Sequence, residues 1–405
     1  MKVAFISTLY APNEMGGAER TVRVLAEALA HNGDEAVVIS LAWDGQARQA
    51  MVGPVKAYYV PLANLHWPFL EDRPSALRRA LWHAIDAYNP VMGARVGAIL
   101  DIEQPDVLQT GNLLGFSVAA WRAAARRRIP VVQMLHDYYL ACPNSSMFRH
   151  GSNCRTQCGD CRAFCTPRRL LSNIPVAVTS LSARTLEKVE GAGNFRKVPL
   201  RYIAHGANNV HAQPEPRTDR APGGNLKVGY LGRIERTKGI EVLLDAAAAM
   251  APGAVTVMLA GKGEEAYTQS LRARYPNADI VFLGFTKPGD LFAQIDLLVV
   301  PSLWEEPLGR VIYEAYEYGV PSAVSRAGGM PEIVEEGRTG FVFEAGNASA
   351  LAAILERERA AGWAAGRFFN ACRAKSREFN MDSLFARYAE IWTTASRTGP
   401  RPASA

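Results

Sequence analysis

The sequence predicts an α/β protein of two doubly wound domains facing a central cleft. Three observations lead to it. Short apolar runs alternate with longer segments of helical period through the first half of the chain. A polar stretch at 211–225, rich in Pro and Gly, interrupts that alternation. The alternation then starts again. With 405 residues, 48% hydrophobic and 21% charged, the chain has the size and composition of a globular protein of two or three domains.

In order, residues 3–9 read as a first buried strand, Gly16-Gly17 as a turn, and 18–32 as a helix that Gly33 ends. Further short strands are expected at 36–41, 106–109, 131–136 and 176–179. Such alternation implies a parallel sheet covered by helices on both faces, so 1–210 is the expected first domain. Residues 211–225 are the expected linker. Strands are then expected at 227–231, 255–260, 280–283, 297–301 and 322–325, with helices at 239–250, 287–294 and 309–318. These form a second domain over 226–380. Residues 381–396 read as an amphipathic helix with Leu384, Tyr388, Ile391 and Trp392 on one side. It is expected to pack back on the first domain, and 397–405 to be a disordered tail.

Charge is uneven. Residues 1–210 hold 23 Lys and Arg against 16 Asp and Glu, although the whole chain is only +6, so the basic excess belongs to the first half. Arg78-Arg79, Arg122, Arg126-Arg127-Arg128 and Arg168-Arg169 supply the clusters, with Trp67, Phe69, Trp82 and Trp121 near them in sequence. Basic residues with interfacial aromatics suit an anionic lipid surface, at about 1 kcal/mol per basic residue. A solvated face is the other reading. No nucleic-acid module accompanies the charge. No apolar run reaches the roughly 18 residues that span a bilayer, and the start is too short for a signal peptide's apolar core. The expected address is the cytoplasm, with the inner face of the cell membrane as an extension of it.

The residues most able to carry chemistry follow the strands. Glu306-Pro307-Leu308-Gly309-Arg310-Val311-Ile312-Tyr313-Glu314 sets two carboxylates eight positions apart. On a continuous helix they would lie roughly 12 Å apart and about 80° around the axis. That is too far for a glycosidase pair, at roughly 5–9.5 Å, and suits an elongated ligand held at two points. Gly16-Gly17 and Gly232-Arg233…Lys238-Gly239 each stand between a strand and a helix. Backbone amides there favour an anion, and Arg233 and Lys238 would suit a pyrophosphate. Gly261-Lys262-Gly263 and Gly328-Gly329-Met330-Pro331-Glu332 are two more glycine turns after strands.

With these residues the chain resembles the retaining nucleotide-sugar glycosyltransferases of family 4, which have the two-domain GT-B fold. The most specific matches are Gly232-Arg233 with Lys238-Gly239, the Glu306…Glu314 pair and Gly328-Gly329-Met330-Pro331-Glu332. Gly16-Gly17-Ala18-Glu19-Arg20, His136-Asp137 and His205-Gly206 match in the first half. Leu308 stands where the family more often has an aromatic. The resemblance implies a UDP- or GDP-sugar donor, retention of anomeric configuration and no catalytic divalent metal. It implies that Arg233 and Lys238 neutralise the leaving diphosphate. It assigns Glu306 to the sugar, Glu314 to the ribose, Gly17 to the β-phosphate and His136 to a position beside the sugar. Gly16, Gly263, Leu308 and Gly309 complete the expected donor site. The implied acceptor is a glycan or a lipid-linked glycan of cell-surface polysaccharide or glycolipid assembly. An epimerase or hydrolase of nucleotide sugars is the competing reading.

Cys142, Cys154, Cys158, Cys161 and Cys165 crowd one short segment. Their spacing resembles a metal knuckle, so any four could hold zinc as thiolates, with Zn–S near 2.3 Å as a rough guide. An iron–sulfur cluster, free thiols and disulfides are the alternatives. The segment 142–167 is expected to be an insertion of the first domain, a clip shaping the acceptor side.

Overall fold

The computed structural model describes residues 1–14, 16–69, 74–208, 212–216, 219–364 and 366–398. The chain forms two compact units. Unit 1 comprises residues 1–147, 154–206 and the chain from Met381 on; unit 2 comprises 148–153 and 207–380.

Unit 1 is built on an eight-stranded sheet. Its strands are β1 (Lys2–Ile6), β2 (Glu35–Leu41), β3 (Arg48–Val52), β4 (Val55–Val60), β5 (Val107–Thr110) and β6 (Val131–Leu135). The two-residue strands β7 (Phe148–Arg149) and β8 (Ser152–Asn153) pair only with each other. The chain then adds β9 (Ala177–Ser180) and β10 (Leu200–Ile203) to the large sheet. The order is β10-β9-β6-β5-β1-β2-β4-β3, parallel except for the β3–β4 hairpin. Val3, Ala4, Phe5 and Ile6 are all fully buried, as are Val107 and Leu108. Continuous burial, rather than alternation, follows because helices cover both faces of the sheet. Each Val, Ile, Leu or Phe side chain among them contributes about 1.5–3 kcal/mol on burial.

Helix Met381–Thr398 belongs to this unit. Leu384, Tyr388, Ile391, Trp392 and Ala395 form its buried stripe. The Trp392 indole N–H donates to Gln109 Oε1 at 2.8 Å, and its ring meets Phe5 edge-on at 5.6 Å. The Tyr388 and Thr179 hydroxyls are 3.0 Å apart.

Unit 2 is a six-stranded parallel sheet of β11 (Leu226–Leu231), β12 (Val255–Ala260), β13 (Ile280–Gly284), β14 (Leu297–Val300), β15 (Ser322–Ser325) and β16 (Gly340–Phe343). The order is β13-β12-β11-β14-β15-β16. Its longer helices are Ile240–Ala248, Glu265–Arg274, Arg310–Glu317, Ala348–Ala361 and Phe369–Ser376.

Three expectations change. Unit 2 begins at Ala207, ahead of the stretch expected to be a linker. Arg220 and Trp363 exchange two backbone hydrogen bonds of 2.8 and 3.0 Å, so the end of that stretch is built into unit 2. His211, Arg217 and Thr218 lie outside the described residues. The expected tail is helical at Arg397 and Thr398, and 399–405 lie outside the described residues. The basic clusters are partly internal. Arg168 is fully buried, 3.0 Å from Asp86 and stacked on the Tyr139 ring at 3.6 Å, while Trp121 is a core residue. Among the described residues no helix is long and apolar enough to cross a membrane.

Candidate functional site

In unit 2 the strand order reverses between β11 and β14, which opens a crevice at their carboxyl ends. The loops after these two strands meet there. After β11, Gly232 and Arg233 lead into the short turn Arg236–Lys238. After β14 comes the loop 301–309. Lys238 Nζ lies 2.5 Å from Glu306 Oε1, and both side chains are largely buried, at 16% and 14% exposure. The ammonium is also 5.0 Å from the centre of the Trp304 ring. The loop is tied down by its backbone. The N–H groups of Leu303 and Trp304 donate to the Thr237 carbonyl at 2.9 and 3.2 Å, and the Gly329 N–H donates to the Glu306 carbonyl at 2.8 Å.

The other predicted residues of unit 2 are placed differently. Arg233 is exposed and lies 3.3 Å from Glu235. Glu314 accepts from Arg310 Nε at 2.6 Å, one turn earlier on the same helix. Gly309, at φ +93°, caps that helix, and Leu308 is buried at 3% exposure. Gly263 forms a bridge to Ile234, whose N–H donates to the Lys262 carbonyl at 2.8 Å. The helical ruler between Glu306 and Glu314 does not hold. The helix starts at Arg310, because the left-handed backbone of Gly309 cannot belong to it, and Glu306 sits in the irregular loop.

In unit 1 the order reverses between β1 and β5. After β1, Gly16 caps helix Gly17–His31. Burial raises the pKa of Glu19 in the first turn, against the backbone N–H groups of Glu19 and Gly16. The predicted anion site at Gly16-Gly17 therefore already faces a carboxylate of its own chain. His136 follows β6. Part of the residue reaches solvent, but its Nε2 is enclosed with no hydrogen-bond partner, and burial lowers its pKa to about 4. The imidazole is thus neutral near pH 7. Burial pushes Asp137 up to about 6, against the Tyr139 N–H that donates to it at 2.8 Å. Asp137 lines a cavity of about 450 Å³ with His66, Phe69, Arg79, Trp82 and His83.

All six cysteines are free thiols. Cys158 Sγ and Cys161 Sγ are 3.5 Å apart. A hydrogen bond with Cys161 is the largest cause holding Cys142 down to about 6, while burial raises Cys165, 3.9 Å from Arg168, to about 11. Among the described residues no group of three or more His, Cys, Asp or Glu side chains is arranged to hold a metal ion. Cys165 contacts the Arg168 guanidinium and also lies within electrostatic reach of Cys142 and Cys158.

Sequence reasoning passed over Trp304, Thr237, Arg310 and Asn153. Only Arg310 left a signal, its four-residue spacing from Glu314.

Residues 225–357 match the family described as Glycosyl transferases group 1, and residues 15–167 match Glycosyltransferase Family 4. The chain belongs to this glycosyltransferase family and has the GT-B fold. An uncharacterized 42.6 kDa protein in the cps region of Klebsiella pneumoniae is 27% identical over 335 residues, covering 82% of this chain and 87% of that protein. The crystal structure of Anabaena HepE in complex with UDP and glucose is similar at a TM-score of 0.67 and 21% identity, covering 97% of this chain and 100% of that one. Sucrose-phosphate synthase from Thermosynechococcus elongatus gives 0.75 at 18% identity, with 97% and 98% covered.

Proposed function

We propose that this glycosyltransferase moves a sugar, with retention of configuration, from a UDP- or GDP-sugar to a glycan or lipid-linked acceptor of cell-surface polysaccharide or glycolipid assembly. The observation that carries this reading is the Lys238–Glu306 pair at the switch point of unit 2. Lys238 is held in place to neutralise a leaving diphosphate, and Glu306 accepts hydrogen bonds from sugar hydroxyls. Arg233 supplies a second cation. Leaving Glu235 costs it little, because exposed ion pairs contribute about 0–1 kcal/mol. Glu314, oriented by Arg310, accepts from the ribose. Positive charge fixed before the bond breaks lowers the barrier without a divalent metal. In unit 1, neutral His136 offers a hydrogen-bonding group to a sugar. The complexes of Anabaena HepE with UDP, glucose and UDP-glucose support a nucleotide-sugar donor.

The acceptor takes the cavity of unit 1, whose aromatic wall suits a sugar ring. Exposed Leu77 and Leu81 beside Arg78 and Arg79 on helix Ala76–Ala87 support a working position on an anionic membrane face. Flotation with anionic vesicles at low salt checks that position, and absence of co-flotation removes it. For the reaction, purified protein is titrated with UDP- and GDP-sugars. Nucleotide release is then followed with chelator present, and the anomer of the product is read by NMR. Binding of no nucleotide sugar, or an inverted product, overturns the reading.

A further inference from the structure

The cysteine-rich segment has no part in the chemistry above, yet six of its residues leave unit 1. Residues 148–153 group with unit 2 as the β7–β8 hairpin. Its two-residue turn, His150 at φ +52° and Gly151 at φ +76°, has both residues in the left-handed region, the arrangement that matches strand twist in the tightest hairpins. The base is closed by the Cys154 N–H, which donates to the Met147 carbonyl at 2.7 Å. The hairpin is thus a short, well-defined projection, and it ends in Asn153.

The Asn153 side chain holds the backbone of the loop that contains Glu306. Its Nδ2 donates to the Leu303 carbonyl at 2.6 Å, and its Oδ1 accepts from the Glu305 N–H at 2.9 Å. The primary amide therefore acts as a peptide group would in a neighbouring strand. It grips the chain on both sides of Trp304, whose ring faces Lys238. The Thr237 carbonyl takes the N–H groups of Leu303 and Trp304, and Gly329 holds the carbonyl of Glu306. Asn153 is the contribution from 150 residues earlier in the chain. Among the side chains that could stand here, aspartate lacks the donor for Leu303, alanine lacks both groups, and glutamine is one methylene too long.

We infer that Asn153 is a positioning residue for the donor loop, acting through the backbone at Leu303 and Glu305 to set Glu306 against Lys238. The hairpin of residues 148–153 is on this account a buttress of the donor side of unit 2. The inference rests on the donor reading of Glu306 and Lys238.

The test uses the full chain with Asn153→Ala and Asn153→Asp, each alone and combined with Glu306→Gln. Amide hydrogen exchange at Glu305 is measured without ligand, and affinity for UDP-glucose and for a GDP-sugar by calorimetry. Asn153→Ala should exchange the Glu305 amide faster and bind the preferred nucleotide sugar more weakly, each by about tenfold, the size of a lost hydrogen bond pair, whereas Asn153→Asp keeps the acceptor for Glu305 and should lose affinity without the faster exchange. Exchange in β14 should not change. In the Glu306→Gln background the further loss of affinity should shrink to less than about twofold, because the two residues then share one effect. Wild-type exchange at Glu305 in Asn153→Ala, or full additivity with Glu306→Gln, overturns the inference. If the wild-type chain binds no nucleotide sugar, the donor reading fails and the functional role of Asn153 fails with it. The exchange data then report separately whether Asn153 holds the loop.

Discussion

A β-carbon on Gly328 would fall 2.0 Å from the carbonyl oxygen of Glu306. Gly328 also has φ +64°, so position and backbone both require glycine. The turn after β15 and the loop after β14 are thus in direct backbone contact. Gly328→Ala must push the Glu306 loop away from Lys238. A displacement near 1 Å in a reacting geometry costs about 10²-fold, so turnover should fall by about that factor, while the melting temperature changes by only a few degrees. Circular dichroism and steady-state kinetics on one preparation check this.

Lys238→Ala should lower turnover about 10²–10³-fold, the cost of losing a preorganised group that stabilises developing negative charge. Arg233→Ala should change it in the same direction. Lys238→Ala also leaves Glu306 without its cation in a largely buried position, so its loss should exceed that of Arg233, which is exposed. Turnover numbers with saturating donor decide the order, and near-normal values in both would remove the leaving-group role.

The pH dependence of stability should show two opposing contributions at adjacent residues. The usual value for a histidine is 6.5, and burial holds His136 at about 4. Between those values the unfolded chain binds a proton that the native chain does not, so stability is lost as pH falls. Asp137 moves from 3.8 up to about 6, again through burial. There the native chain binds the extra proton, so its contribution is lost as pH rises. Asp137→Asn should therefore gain on wild type as pH climbs from 4 to 6, by up to about 3 kcal/mol, at about 1.4 kcal/mol per pH unit for one proton. Denaturant melts at half-unit steps check the sign.

Trp392→Ala should destabilise unit 1 by about 3–5 kcal/mol, the usual cost of deleting a buried aromatic. Trp392→Phe keeps much of the volume but leaves Gln109 Oε1 without the indole N–H, and should cost about 1–3 kcal/mol. Urea unfolding followed by tryptophan fluorescence and circular dichroism separates the two.

The strands and their order of appearance were legible because a doubly covered parallel sheet writes itself as continuous apolar runs, as in Val3–Ile6 and Leu297–Val300. The β3–β4 hairpin was not, since its edge strand is half exposed and carries Arg48, Gln49 and an exposed Met51. Lys238 and Glu306 were legible as residue types after strands. Their meeting was legible only through the family resemblance, because it depends on β11 and β14 being neighbours. Glu306 was assigned a helical position because proline and glycine beside it look like a helix start. The left-handed φ of Gly309, which moves that start to Arg310, has no signature in the letters. Arg168 read as surface charge because sequence spacing says nothing of Asp86, 82 positions away.

The return of helix Met381–Thr398 to unit 1 sets a timetable for synthesis. The sheet of unit 1 is finished by Ile203, but the faces of Phe5, Gln109 and Thr179 that receive Trp392 and Tyr388 stay uncovered until the last helix emerges. All of residues 207–380 must be translated first. At about 5–20 residues per second that interval is roughly 10–35 s. The nascent chain therefore carries an open apolar groove on its first-made half throughout that time. That exposure should end only when residues 381–398 have emerged and packed.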